Sequence, residues 1–265
     1  MGKKIAIYGK GGIGKSTIAS NISATLGKKG KKVLQVGCDP KHDSTLILTN
    51  FPIKPLLPMI EAGISNLCKE DFIYSGYFGV DCIELGGPEP GIGCAGRGIL
   101  KGIQLLNHYD IIQSNYDVVV YDVLGDVVCG GFFAPLRNDT DEMYIVTSGE
   151  FNSLFAANNL CLGFVNNSFG NVKIGGIIGN SRGIKNENKL IQKFAEKVNL
   201  PLITIIPREQ MIEESTIQHK PVIELFEYSD IASLFEKLSL QILENDAGYI
   251  PQPLSLEELR ILYNL

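Results

Sequence analysis

Residues 9–16 read GKGGIGKS, and this run constrains the chain more than any other. It has the eight-position pattern G-x-x-x-x-G-K-[ST] of a phosphate-binding loop. A short apolar run at 3–9 precedes it, and a helix-period segment at 15–28 follows. A strand–loop–helix context gives the motif its physics. Glycines let consecutive backbone N–H groups turn toward an anion, and the helix N-terminus adds partial positive charge. Lys15 is expected to reach the β- and γ-phosphates and the Ser16 hydroxyl to ligate Mg²⁺. The nucleotide-binding segment is thus Gly9, Lys10, Gly11, Gly12, Ile13, Gly14, Lys15, Ser16 and Thr17. Lys10 is surplus to phosphate binding within one chain.

The rest of the chain repeats the alternation of apolar strand and amphipathic helix. Strands are predicted at 3–9, 33–37, 81–85, 116–121, 143–147, 172–179 and 202–206. Helices are predicted at 15–28, 99–108, 151–164, 186–198 and 231–243, with a proline-rich loop at 52–58 and a short helix after it. This spacing predicts an α/β fold: a single doubly wound, mostly parallel sheet flanked by helices. One domain is expected over 1–265, with a C-terminal tail from about 249 to 265 that ends in a short helical segment.

Composition narrows the function classes. The net charge is −5, which argues against a broad nucleic-acid face. The dense basic cluster at 28–32 sits between a helix and a strand and reads as a solvated helix end. No apolar run approaches the ~20 residues of a membrane helix, and no secretory segment is evident. A cytoplasmic protein is expected, with no membrane or nucleic-acid partner. Its six cysteines then read as thiols, core residues or metal ligands.

Two acidic segments are expected at strand ends, where open α/β sheets bind ligands. CDPKHDST at 38–45 carries Asp39, Lys41 and Asp43; DVLGD at 122–126 carries Asp122 and Asp126. Carboxylates there suit the waters that Mg²⁺ keeps and the positioning of an attacking water. Two cysteines stand apart. Cys94 in GGPEPGIGCAGRG and Cys129 in GDVVCGG are flanked by glycine, which permits backbone N–H groups to approach a thiolate-bound cluster. A cubane needs four thiolates, and two chains related by a two-fold axis would supply them. Cys38, Cys68, Cys82 and Cys161 lie in or beside apolar segments and are expected to be buried.

GKGGIGKST, GCDPKHDST, GGPEPGIGCAGRG and YDVLGDVVCGGF, in that order and with SGE…AANN and PQPLSLEEL after them, resemble the nitrogenase iron protein family over nearly the whole chain. The first motif resembles the deviant Walker A class of P-loop NTPase, in which the early lysine contacts nucleotide in the partner subunit. The resemblance implies a homodimer in which Cys94 and Cys129 of both chains hold one [4Fe–4S] cluster. It also implies two switch segments, one at Asp39 and its neighbours and one at 122–129. Asp126 would activate water, and Asn180, Pro207, Arg208 and Glu209 would hold adenine and ribose. Arg97 matches an arginine that is ADP-ribosylated in some members. The implied function is ATP-dependent electron transfer: MgATP hydrolysis coupled to passing low-potential electrons from a ferredoxin or flavodoxin donor to a nitrogenase-type catalytic component. Lys10, Lys15, Asp39 and Asp126 are the residues expected to carry catalysis.

Two alternatives stay open. His42 and Phe151 look more like the reductases of tetrapyrrole-reducing enzymes, whereas Arg137 and the tail look more like nitrogenase proper. A positioning ATPase of the ParA/MinD type would share the fold and Lys10, but it has no use for Cys94 and Cys129. An iron–sulfur assembly carrier would typically show a C-x-x-C pair, which this chain lacks.

Overall fold

The structure, a computed structural model, describes residues 2–64, 67–87, 95–112, 116–123, 125, 133–138, 140–167 and 169–263. Cys94, Asp126 and Cys129 lie outside the described residues.

The chain builds one sheet from β1 (Lys3–Gly9), β2 (Val33–Cys38), β3 (Tyr74–Ser75), β4 (Asp81–Glu84), β5 (Val118–Val123), β6 (Glu142–Thr147), β7 (Lys173–Asn180) and β8 (Leu202–Ile206). Its order is β3-β4-β2-β5-β1-β6-β7-β8. The neighbours pair in parallel except β3, a short antiparallel edge strand on β4. Parallel strands covered on both faces are apolar at nearly every position, and β2, β5 and β6 are buried throughout.

The two-residue strand period divides the core between the faces. Ala6, Tyr8, Val119 and Tyr121 point to one face, beneath α4 (Ala95–His108), α6 (Phe151–Asn166), α7 (Glu187–Lys197) and α11 (Leu256–Leu262). Ile5, Ile7, Val118 and Val120 point to the other, beneath α1 (Lys15–Lys28), α9 (Val222–Leu225) and α10 (Asp230–Glu244). Each fully buried Ile or Leu contributes about 1.5–3 kcal/mol of transfer free energy, so this alternation fixes which strand residues meet α1. Asp122 shares the parity of Val118 and Val120 and so lies on the α1 side.

Shorter helices complete the chain: α2 (Leu46–Thr49), α3 (Leu56–Glu61), α5 (Ala134–Asn138) and α8 (Gln210–Ile217). Helix α3 starts inside the predicted proline-rich loop, because Pro58 falls in its first turn, where a missing N–H costs nothing. Helix α4 begins at Ala95, four residues before the predicted start at 99. Its glycines lower helix propensity, yet Gly102 packs where a Cβ would stand 2.9 Å from a Leu85 methyl. Strand β5 starts at Val118, not 116; Tyr116 instead donates its hydroxyl to Asp81 at 2.7 Å. Cys38, Cys82 and Cys161 are buried as expected, but Cys68 is exposed. Its thiol bonds the Asp71 carboxylate at 3.0 Å in a one-turn helix over Lys69–Asp71, so a local polar partner overrides the neighbouring apolar residues.

The basic run at 28–32 is a solvated end: Lys28 and Lys29 pair with Glu227 and Glu236, and Lys31 and Lys32 are exposed.

Candidate nucleotide site

The segment between β1 and α1 turns sharply over the C-terminal edge of the sheet. Gly12 and Gly14 take φ of 71° and 100°, a region that costs residues with a Cβ but not glycine. Gly14 caps α1 without a side chain, and no acidic residue occupies the first turn. The N-terminal N–H groups of α1 therefore have no capping side chain and no carboxylate from their own first turn, which suits an anionic ligand. Lys15 is buried and donates to the Lys10 carbonyl at 3.1 Å. Gly125 packs against the loop so closely that a Cβ would sit 2.3 Å from the Gly11 nitrogen.

Two clefts meet at this loop. One, of ≈ 610 Å³, is lined by Gly11, Gly12, Gly14, Lys15, Ser16, Thr17, Asp39, Lys41, Asp43, Asp122, Val123 and Gly125. The other, of ≈ 320 Å³, is lined by Gly14, Thr17, Ile18, Asn180, Ser181, Arg182, Ile206, Pro207, Arg208, Glu209, Ile212, Glu213, Thr216 and Phe235. Gly14 and Thr17 belong to both. The first is cationic at the loop and acidic opposite, as a metal-bound polyphosphate requires. The second joins apolar walls to polar tips, as a nucleoside requires. A third cleft, of ≈ 650 Å³, lies at the opposite ends of β1, β6 and β7, away from the edge where such sheets bind ligands. There Lys3 pairs with Glu142 at 3.0 Å and Lys173 donates to the Asp246 carbonyl.

The structure thus places Asp39, Lys41 and Asp43 in the first cleft and Asn180, Pro207, Arg208 and Glu209 in the second. Gly9 and Ile13 support the loop from below: Gly9 has no room for a Cβ beside the Val146 carbonyl, and the Ile13 carbonyl accepts from Asn180 at 2.7 Å. Arg97 is exposed on the first turn of α4. His42 is exposed, with φ of 46° and its Nδ1 2.8 Å from the Pro40 carbonyl.

Electrostatics set the acidic wall. Burial raises the Asp122 carboxyl, while Lys15 and hydrogen bonds from Ser16 and Ser44 pull it back and Asp39 pushes it up again. Among the described residues its Oδ1 has no hydrogen-bond partner. A buried acceptor facing a cleft fits a hydrated cation there. Burial, then Asp122, Glu84 and Asp39, push the Cys38 thiol well up, so it stays protonated.

Sequence reasoning missed Arg182, whose guanidinium bonds the Gly12 carbonyl, and Glu84 and Glu187 behind the two clefts. Arg182 stands two residues after Asn180 at the end of β7, which was its only local signal. The apolar wall from Phe235 comes from α10, far along the chain, and had none.

A family model described as 4Fe-4S iron sulfur cluster binding proteins, NifH/frxC family, matches residues 3–264. The chain is 48% identical over 259 residues to nitrogenase iron protein 2 of Methanobacterium ivanovii, covering 97% of each. It is 45% identical to the nitrogenase iron protein of Methanospirillum hungatei JF-1, covering 98% of this chain and 94% of that protein. Its fold is similar to that of the septum site-determining protein MinD from Pyrococcus horikoshii, solved with Mg-ADP. The TM-score is 0.74 at 25% identity, covering 91% of this chain and 96% of the other.

Proposed function

The chain belongs to the NifH/frxC family of 4Fe-4S iron sulfur cluster binding proteins, and from that premise we propose that it is an ATP-dependent electron-transfer reductase, the homodimeric iron protein of a nitrogenase-type system. The observation that carries this is the near-full-length identity with nitrogenase iron proteins, 45–48%, set against 25% for the similarly folded MinD. A shared fold leaves function open; a family match over residues 3–264, a span that contains Cys94 and Cys129, favours the reductase.

In this reading the first cleft takes the phosphates and Mg²⁺, with Lys15, Ser16, Asp39 and Asp43 around them, and the second takes adenosine. Lys10 reaches nucleotide held by the partner subunit, and Asp126 positions the attacking water. Contacts to the γ-phosphate re-set the segments that begin at Asp39 and Asp122, the order–disorder type of switch that phosphate-binding loops use. Cys94 and Cys129, one pair from each protomer, would hold one [4Fe–4S] cluster; four thiolate donors in glycine-flanked segments fit that group. When bound, the cluster supplies one-electron storage at low potential. A low-potential ferredoxin or flavodoxin charges the dimer, and a nitrogenase-type catalytic component receives the electrons. Among the described residues no helix is long and apolar enough to cross a membrane.

Anaerobic purification tests the assignment. About four iron atoms per dimer are expected, with visible absorbance that disappears in Cys94→Ser and in Cys129→Ser. An iron-free dimer would leave an ATPase without a redox role, and absorbance that survives both substitutions would put the cluster on other ligands. Capture of the native partner under the same conditions distinguishes a dinitrogen-reducing component from a tetrapyrrole-reducing one.

A further inference from the structure

The turn between β7 and α7 is organised by one carboxylate. Glu187 is the first residue of α7 and is 3% exposed. Its Oε2 accepts from the Ser181 hydroxyl at 2.7 Å and from the backbone N–H groups of Arg182, Gly183 and Ile184 at 2.8, 2.9 and 3.3 Å. Its Oε1 accepts from the Gly149 N–H at 3.0 Å, across the gap between the β6 and β7 ends. Burial works to raise this carboxyl, but the Ser181 hydroxyl and the N–H groups of Gly149, Arg182 and Gly183 outweigh it and hold it below the usual glutamate range.

The turn so fixed carries the side chains that hold the phosphate loop. Asn180 donates to the Ile13 carbonyl and Arg182 to the Gly12 carbonyl, and both line the adenosine cleft. A second arm runs outward. The Gly149 carbonyl accepts from the Tyr263 hydroxyl at 2.7 Å, at the end of α11. Only glycine fits at 149, because a Cβ would lie 2.7 Å from Glu187 Cγ. The C-terminal segment is itself anchored: Asn158 bonds both the N–H and the carbonyl of Leu254, and Ser255 and Glu258 form a capping box.

We propose that Glu187 is a positioning residue for nucleotide binding, holding the turn that braces the phosphate loop, and that Gly149 and Tyr263 join the C-terminal helix to the same clamp. The proposal rests on the nucleotide reading of the two clefts. It adds a coupling between that site and a helix that touches neither cleft. Two discrete ends of one hydrogen-bonded chain are a physical route for such coupling, and double-substitution measurements are its test.

Isothermal titration of the full-length protein with MgADP separates the outcomes. Glu187→Gln places an NH₂ group among converging donors, whichever way the amide turns. The expected result is binding about tenfold weaker with one site per chain retained, because the clefts persist but the loop is no longer held. Tyr263→Phe keeps the ring against Phe151 and loses only the hydroxyl; binding about two- to threefold weaker is expected. The double variant should fall short of the product of the two effects. Unchanged affinity in Glu187→Gln overturns the proposal. So does a loss of sites at unchanged affinity, which would mark a purely structural role. Unchanged affinity in Tyr263→Phe removes the arm to α11. Failure of the unsubstituted protein to bind MgADP would instead sink the nucleotide reading itself, and the clamp with it.

Discussion

Glu84 and Glu187 lie behind the two halves of the same cleft system, and both are buried, yet they titrate in opposite directions. At the end of β4, burial drives the Glu84 carboxyl up to about 8; hydrogen bonds from Thr45 oppose this, while the charges of Asp122 and Asp43 add to it. Its Oε1 accepts from the Thr45 N–H at 2.7 Å and hydroxyl at 2.8 Å, and its Oε2 has no hydrogen-bond partner among the described residues. At the start of α7, Glu187 is surrounded by N–H donors and stays ionised. Burial alone therefore does not set protonation here. The number of donors and the sign of the neighbouring charges do. The half beside Lys15 and Asp122 thus holds a carboxyl that carries a proton at neutral pH, beneath the segment at 39–45. The half beside Asn180 and Arg182 holds a carboxylate that fastens backbone.

The largest expected effect is on stability against pH. Below about pH 4.5 Glu84 is protonated in both folded and unfolded chains and costs nothing. Between about 4.5 and 8 the unfolded chain releases that proton while the folded chain keeps it, so stability falls as pH rises, and above 8 the loss is complete. Relative to Glu84→Gln, which cannot titrate, the unsubstituted protein should lose roughly 3–5 kcal/mol between pH 4 and pH 9 in urea unfolding. Parallel curves for the two proteins would break the contrast.

Gly37→Ala comes next. Gly37 lies in register between Glu84 and Asp122, and a Cβ there would stand 2.0 Å from Glu84 Oε2 and 2.8 Å from Ser44 Cβ. A loss of about 2–3 kcal/mol is expected from such overpacking. It should shrink in the Glu84→Ala background, where the obstructing carboxyl is gone; an equal loss in both backgrounds would place the strain elsewhere. For Glu187→Gln the expected loss is about 2 kcal/mol at pH 7, the size of hydrogen bonds to a charged acceptor. The sign of its pH dependence is reversed: the carboxylate stabilises above about pH 4.5, and that contribution disappears as pH falls through its lowered folded value. Chemical unfolding at pH 3.5 and pH 7 should show the difference narrowing at the lower pH. The smallest effect is that of Thr45→Val, which removes one of two donors to Glu84 Oε1 and should cost about 1 kcal/mol at pH 6. It should also move the Glu84 titration further up, visible as a shifted midpoint in the same unfolding series.

Much of this architecture was legible along the chain. The elements Lys3–Gly9, Lys15–Lys28 and Leu202–Ile206 have the ends that periodicity and glycine placement predicted. Asp39 and Asp43 could be assigned to the sheet edge because strand β2 stops just before them. Glu84 and Glu187 were not legible as opposites, since each is a glutamate beside a predicted element boundary. What separates them is the company each keeps: Thr45, Asp43 and Asp122 for one, Gly149 and the 181–184 turn for the other.

By itself the sequence determined the loop, the main strands and helices in their order along the chain, and the motifs that mark the family. These depend on neighbours three or four residues apart and on a strand period of two, which a linear reading can follow. Only the tertiary structure decided that two clefts join at Gly14 and Thr17, that Cys68 faces solvent, and that one buried carboxyl keeps its proton while another gathers backbone donors. Desolvation and hydrogen bonding act through space: Gly149 reaches Glu187, and Thr45 and Asp122 reach Glu84, from segments tens of residues away that meet only when the sheet is complete.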